Sequence, residues 1–176
     1  LGPVYLMLAA SIWGGVYVVS KVVLAVIPAL ELVWIRYLIA LVTLGLFGMI
    51  RGESWHIPRK TIPLVIAIGL IGYFFSIWAQ FAGTHLSSAQ MGSVITSATP
   101  AFMVIFARFI LQERITARKG ISLFLATAGV LGIVGIGDMA DASRTGGLIL
   151  GLAAFTWALM SVLIKKVPAD CSLLVV

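Results

Sequence analysis

Between Thr61 and Ala107 the chain runs for 47 residues without one Asp, Glu, Lys or Arg. A helix or strand at a water-facing surface carries charge on its wet side, so an uncharged run this long has no solvated face to offer. A bilayer accommodates it, because a spanning helix needs about 20 predominantly apolar residues. The run is long enough for two such helices, and it breaks where Gly and polar residues cluster, at Gly83-Thr84-His85-Leu86-Ser87-Ser88. Further charge-free runs lie at Leu1 to Ser20, Gly120 to Gly137 and Thr145 to Ile164. With 61% hydrophobic and 10% charged residues, a soluble core is excluded as the destination of so much apolar surface.

Six spans are predicted: Pro3 to Ile27, Leu30 to Ile50, Ile62 to Gly83, Ser88 to Leu111, Gly120 to Gly137, and Gly147 to Ile164. The fold class is therefore all-α, a polytopic membrane helix bundle. The first run lacks a basic start and a small-residue cleavage site before a polar region, and is read as a true span. Cys171 is the single cysteine, which excludes an internal disulfide and a Cys-rich metal site. No metal site and no cofactor is expected.

Lys and Arg collect on alternate connections. Arg51, Arg59 and Lys60 follow span two, Arg108, Arg114, Arg118 and Lys119 surround the end of span four, and Lys165 and Lys166 follow span six. Lys21 and Arg144 lie on the other side, with Glu31, Asp138 and Asp141 nearby. Basic flanks stay cytoplasmic, so the start of span one is expected in the cytoplasm. The net charge of +6 is thus topological. A nucleic-acid partner would need a basic groove with interleaved aromatics, which three short membrane-flanking clusters do not provide.

Residues 8 to 23, LAASIWGGVYVVSKVV, return as residues 152 to 167, LAAFTWALMSVLIKKV. Seven aligned pairs are identical: Leu8/Leu152, Ala9/Ala153, Ala10/Ala154, Trp13/Trp157, Val18/Val162, Lys21/Lys165 and Val23/Val167. Five spans separate the starts of the two units, and an odd number reverses direction across the membrane, so the units are inverted. Lys21 falls at the outer end of span one and Lys165 at the inner end of span six, as inversion requires. Inverted repeats characterise carriers that rock about a central site.

The residues also carry a family resemblance. Ala9-Ala10-Ser11-Ile12-Trp13-Gly14 opens the first helix, Trp34-Ile35-Arg36-Tyr37 places an Arg in the second, and the fourth reads SSAQMGSVITSATPAFMVIFARFILQERIT, with Pro100 mid-helix and Glu113-Arg114 at its cytoplasmic end. Arg118, Gly120 and a Gly-rich fifth helix follow. In this order the motifs resemble the EamA-type family of the drug/metabolite transporter superfamily. The resemblance implies a ten-helix fold of two inverted five-helix repeats, with residues 1–140 as the first repeat and 141–176 as the start of the second. It further implies export of amino acids or related small compounds across the bacterial inner membrane. At 176 residues the chain is read as a fragment of such a carrier, or as a half-size subunit acting in a homodimer or assembly.

Polar side chains inside a bilayer usually face the bundle interior or a wet cavity. Tyr73, Ser76 and Gln80 in span three share one helical face by spacing, as do Ser93, Thr96, Ser97 and Pro100 in span four. Span one offers Trp13, Tyr17 and Ser20, and span six offers Trp157 and Ser161 at the positions equivalent to Trp13 and Tyr17. These stripes are the candidate lining of a small-molecule site. Against that reading, Ser and Thr often bond back to their own helix, and Trp and Tyr mark interfacial belts; Trp34 and Trp55 are assigned to such belts.

Arg36, about two turns inside the outer boundary, would cost about 2.5 to 3.5 kcal/mol at a helix centre without partners. It is expected to snorkel, to meet Glu31 in competition with Lys21, or to attract a carboxylate-bearing substrate. Pro100 frees a carbonyl one turn earlier, so span four is expected to bend or open where Ser97 and Thr99 can rebond it. Gly129, Gly132 and Gly135 on span five, with Gly147 and Gly151 on span six, are expected to permit close packing. Glu113 and Arg114 read as a local charge pair. Apart from boundary Glu31, no acidic residue falls within a predicted span, which gives no support to an acidic proton relay. A membrane-embedded enzyme is the weakest reading: there is no HExxH, no phosphate-binding Gly-Lys-Ser/Thr loop and no paired intramembrane Asp.

Overall fold

The computed structural model describes residues 2–52, 55, 57–134, 141–168 and 171. Helices dominate it: α1 Gly2–Val23, α2 Ala29–Arg51, α3 Ile62–Ala67, a π-helix Ile68–Ser76, α4 Ile77–Leu86, α5 Ala89–Thr96, α6 Thr99–Ile110, α7 Ala117–Val134 and α8 Asp141–Ile164. The protein is an all-helical integral membrane protein. Among the described residues five stretches are long and apolar enough to cross a bilayer: Gly2–Val23, Ala29–Arg51, Ile62–Leu86, Ala89–Ile110 and Arg144–Ile164. The predicted fifth span corresponds to α7, which spends its first turn on Arg118 and Lys119. Its apolar part, residues 120–134, rises about 22 Å at 1.5 Å per residue, short of a hydrocarbon core about 30 Å thick; positions 135–140, Gly135 among them, lie outside the described residues.

Helix α8 forms the centre. It packs most extensively on α4, the π-helix and α6, then on α5, while α1 lies against α5 and α4, α2 against α4, and α7 against α5 and α6. Small residues make the centre tight: Ala153, Ala154 and Ala158 are buried beside Leu150 and Met160. Gly83 and Gly146 mark a close crossing of α4 and α8, where a Cβ on Gly146 would stand 2.9 Å from the Gly83 carbonyl oxygen. Of the five glycines expected to do this, the two on α8 do not: Gly147 has ordinary contacts and Gly151 faces open space. By contrast α2 buries little besides Val33 and Gly48 and turns Trp34, Leu38, Leu41 and Met49 outward, which suits a lipid-facing helix.

Two departures from plain α-helix shape the interior. The third span widens into a π-helix over Ile68–Ser76, where Gly72 admits the Met160 side chain, whose Cγ would stand 2.0 Å from an added Cβ. The fourth span breaks at Ser97–Ala98, and Thr99-Pro100 restart it in a first turn that tolerates proline. Pro100 cannot donate to the Thr96 carbonyl, and the Thr99 hydroxyl does so instead at 2.6 Å. Ser97 bonds the Val94 carbonyl, also at 2.6 Å. The break between spans three and four falls at Ser87, and Ser88 caps α5 by accepting from the Met91 N–H at 3.1 Å.

Candidate functional site

A cavity of about 540 Å³ opens among α1, the junction of the π-helix with α4, the α5–α6 break and α8. Helix α1 contributes Ala9, Ala10, Trp13, Gly14 and Tyr17; the third span gives Ser76 and Gln80; the break gives Ser93, Thr96, Ser97 and Thr99; α8 gives Ala153, Ala154 and Trp157. Eight of the residues in the stripes singled out by sequence therefore meet here: Trp13, Tyr17, Ser76, Gln80, Ser93, Thr96, Ser97 and Trp157. Three pairs related by the sequence repeat, Ala9/Ala153, Ala10/Ala154 and Trp13/Trp157, line this one space. The Trp13 and Trp157 rings touch directly, with centroids 5.3 Å apart.

Its chemistry is aromatic and hydroxylic. Tyr17 is only 3% exposed, and its hydroxyl lies 2.5 Å from Thr96 Oγ1. Thr96 gives its own proton to the Gly92 carbonyl at 2.7 Å, so Tyr17 is the donor of that contact. Ser76 donates to the Ala153 carbonyl at 2.8 Å, tying the third span to α8. Ser93 and Ser97, on the exposed edge, bond carbonyls of Gln90 and Val94. Back-bonding to the helix, the ordinary behaviour of Ser and Thr in membranes, thus holds for the fourth-span hydroxyls even though they line the cavity. No Asp, Glu, Lys, Arg or His borders this space among the described residues, and no group of side chains there could hold a metal ion.

The other five candidates lie elsewhere, Ser20 on the wall of a second cavity that Arg36 also borders. Tyr73 stands behind the wall, edge-on to Trp157 at 6.1 Å, and its carbonyl accepts the Tyr37 hydroxyl. The wider π turn explains this, since it advances each residue through a smaller angle than the α-helical spacing assumes, leaving Tyr73 out of phase with Ser76 and Gln80. Ser161 donates to the Trp157 carbonyl of its own helix at 2.8 Å. Pro100 is exposed outside the lining. Arg36 lies over the Phe81 ring at 6.0 Å and borders a separate apolar cavity of about 420 Å³ between α1, α2 and α4. It makes no ion pair with Glu31 among the described residues.

Charged residues at the bundle ends hold partners that spacing did not reveal. The Lys21 ammonium donates to the carbonyls of Thr84, His85 and Ser87 at 2.9, 2.7 and 2.8 Å, closing the C-terminal end of α4 rather than competing for Glu31. Glu113 pairs with Lys119 at 2.9 Å and Lys165 at 3.4 Å, not with Arg114. These hydrogen bonds, Lys119 foremost, hold its carboxyl below the usual carboxylate range.

Comparison with known proteins agrees with this architecture. A model of the EamA-like transporter family matches residues 1–135. An uncharacterized transporter of Bacillus subtilis is 29% identical over 81% of this chain and 48% of its own length. A probable amino-acid metabolite efflux pump of Salmonella typhimurium is 28% identical over 96% of this chain and 57% of its own. The pseudopaline exporter of Pseudomonas aeruginosa is 26% identical over 76% and 46%. The chain spans about half the length of the curated relatives it matches. No solved structure matches it significantly.

Proposed function

Because the chain belongs to the EamA-like transporter family, we propose that it forms part of a secondary carrier that exports amino acids or related small compounds by alternating access. The observation that carries this reading is the meeting of repeat-related residues, Ala9/Ala153, Ala10/Ala154 and Trp13/Trp157, in one cavity. Two units related by inversion, with equivalent positions facing each other, are the arrangement from which such carriers rock around a central site. Residues 1–140 are then the first unit and residue 141 onward the start of the second. The amino-acid class comes from the efflux pump of Salmonella typhimurium, the placement in a bacterial inner membrane from the bacterial relatives, and the cytoplasmic N-terminus from the basic flanks.

Trp13, Tyr17, Ser76, Gln80 and Trp157 would contact the solute. Arg36, Tyr73, Pro100 and Ser161 would support the walls or the movement instead. Among the described residues the cavity offers no acidic group to carry a proton, so export driven by the solute gradient or by exchange fits it. In proteoliposomes, Tyr17→Ala and Gln80→Ala are expected to lower efflux of preloaded amino acids severalfold at matched protein level. Undiminished efflux would remove the cavity from the pathway. Flux should also persist without a proton gradient, and strict dependence on that gradient would reject the coupling scheme.

A further inference from the structure

Gln80 differs from every hydroxyl group around the cavity. Ser76, Ser93, Thr96, Ser97 and Thr99 have each given their proton to a backbone carbonyl, so towards the cavity they offer lone pairs alone. Gln80 is 4% exposed, yet among the described residues its side-chain amide has no hydrogen-bond partner; only its backbone carbonyl is used, by Thr84. No fully enclosed side-chain polar atom lacks a partner among the described residues. The free amide of Gln80 therefore borders the open cavity it lines, with two N–H donors and an acceptor oxygen unspent. Beside it stand the flat faces of Trp13 and Trp157, and among the described residues no ionised side chain.

We propose that Gln80 determines specificity, and that the cavity takes a flat solute that is uncharged where it lies against the indoles and presents an amide-like edge, a donor beside an acceptor. The proposal rests on the reading of this cavity as the transport site. A carboxamide matches such an edge with two parallel hydrogen bonds, while the solute's remaining donors can reach the hydroxyl lone pairs. An ion at the same place would lose hydration with no counter-charge to replace it. Leaving the Gln80 amide unpaired against a solute without that edge carries the usual penalty of a buried unsatisfied group.

Benzamide, benzoate and benzamidine have nearly one shape and are neutral, anionic and cationic at pH 7, which makes them suitable probes. Equilibrium binding of radiolabelled benzamide to the protein in lipid nanodiscs, with the other two as competitors, is expected to favour benzamide by about tenfold or more over either. Gln80→Leu keeps the volume and should abolish that preference, and Gln80→Glu should transfer it to benzamidine. If Gln80→Glu does not assemble, Gln80→Leu decides alone. Equal competition by all three, a preference for benzamidine in the unaltered protein through the indole faces, retention of the benzamide preference in Gln80→Leu, or no saturable benzamide binding would each overturn the proposal. The same proteoliposomes separate the two readings. Selective benzamide binding without flux of any solute sinks the transport reading alone, whereas amino-acid flux without benzamide selectivity sinks the role of Gln80 alone.

Discussion

Lys21 places a full positive charge against the end of α4, where helix carbonyls have run out of N–H partners. Two of those carbonyls, Thr84 and His85, accept from its ammonium together with that of Ser87 just beyond the helix, and cations at a helix C-terminus are favoured by the backbone dipoles as well. Lys21→Met retains the apolar stem and removes all three bonds. It is expected to destabilise the bundle by about 1 to 3 kcal/mol, read as a lower midpoint of thermal unfolding in detergent, and Lys21→Arg should recover part of the loss. An unchanged midpoint in Lys21→Met would mean that water satisfies those carbonyls equally well. Sequence marks Lys21 as unusual but cannot name its partners, because backbone carbonyls leave no trace in residue type. Glu31, the visible acidic neighbour, drew the expectation instead. The aromatic and Gln80 stripes were legible for the opposite reason: side-chain polarity recurring at helical spacing is written in the residues themselves.

At the level of elements, the end of α6, the start of α7 and the end of α8 meet through one carboxylate. Glu113 reaches Lys119 and Lys165, and its depressed pKa fixes the sign of the pH effect. The bridge contributes in full above the ordinary carboxylate pKa of about 4.3, and is lost as pH falls through the lower value of the folded protein. Thermal stability should therefore decline less between pH 6 and pH 3 in Glu113→Gln than in the unaltered protein; parallel declines would show that the bridge is screened. The α8 crossing gives a sterically simpler expectation. Gly146→Val forces a Cβ against the Gly83 carbonyl and Ser87 and should lower the unfolding midpoint strongly, while Gly151→Ala, which faces open space, should leave it nearly unchanged. Span limits were readable because charge-free runs cannot be solvated. The π-helix was not, because its residues would suit an α-helix equally, and its consequence was the misplacement of Tyr73. The break at Ser97–Ala98 was foreseen because a proline without an N–H must leave a carbonyl behind.

For the molecule as a whole, the alternating basic flanks predict which ends share a side of the membrane. In a Cys171→Ser background, Lys60→Cys should react with an impermeant maleimide from the cytoplasmic face and His85→Cys from the opposite face; labelling of both from one side would undo the topology. That α8 forms the centre could not be read from its position near the end of the sequence. The Trp13–Trp157 contact has a further consequence. If the two units trade conformations during transport, every contact between non-equivalent positions in one state is replaced by its mirror in the other. A contact between equivalent positions is its own mirror, so the indole pair keeps its spacing while the mouths on either side open and shut in turn. The two rings are then the fulcrum of the movement and not one of its doors.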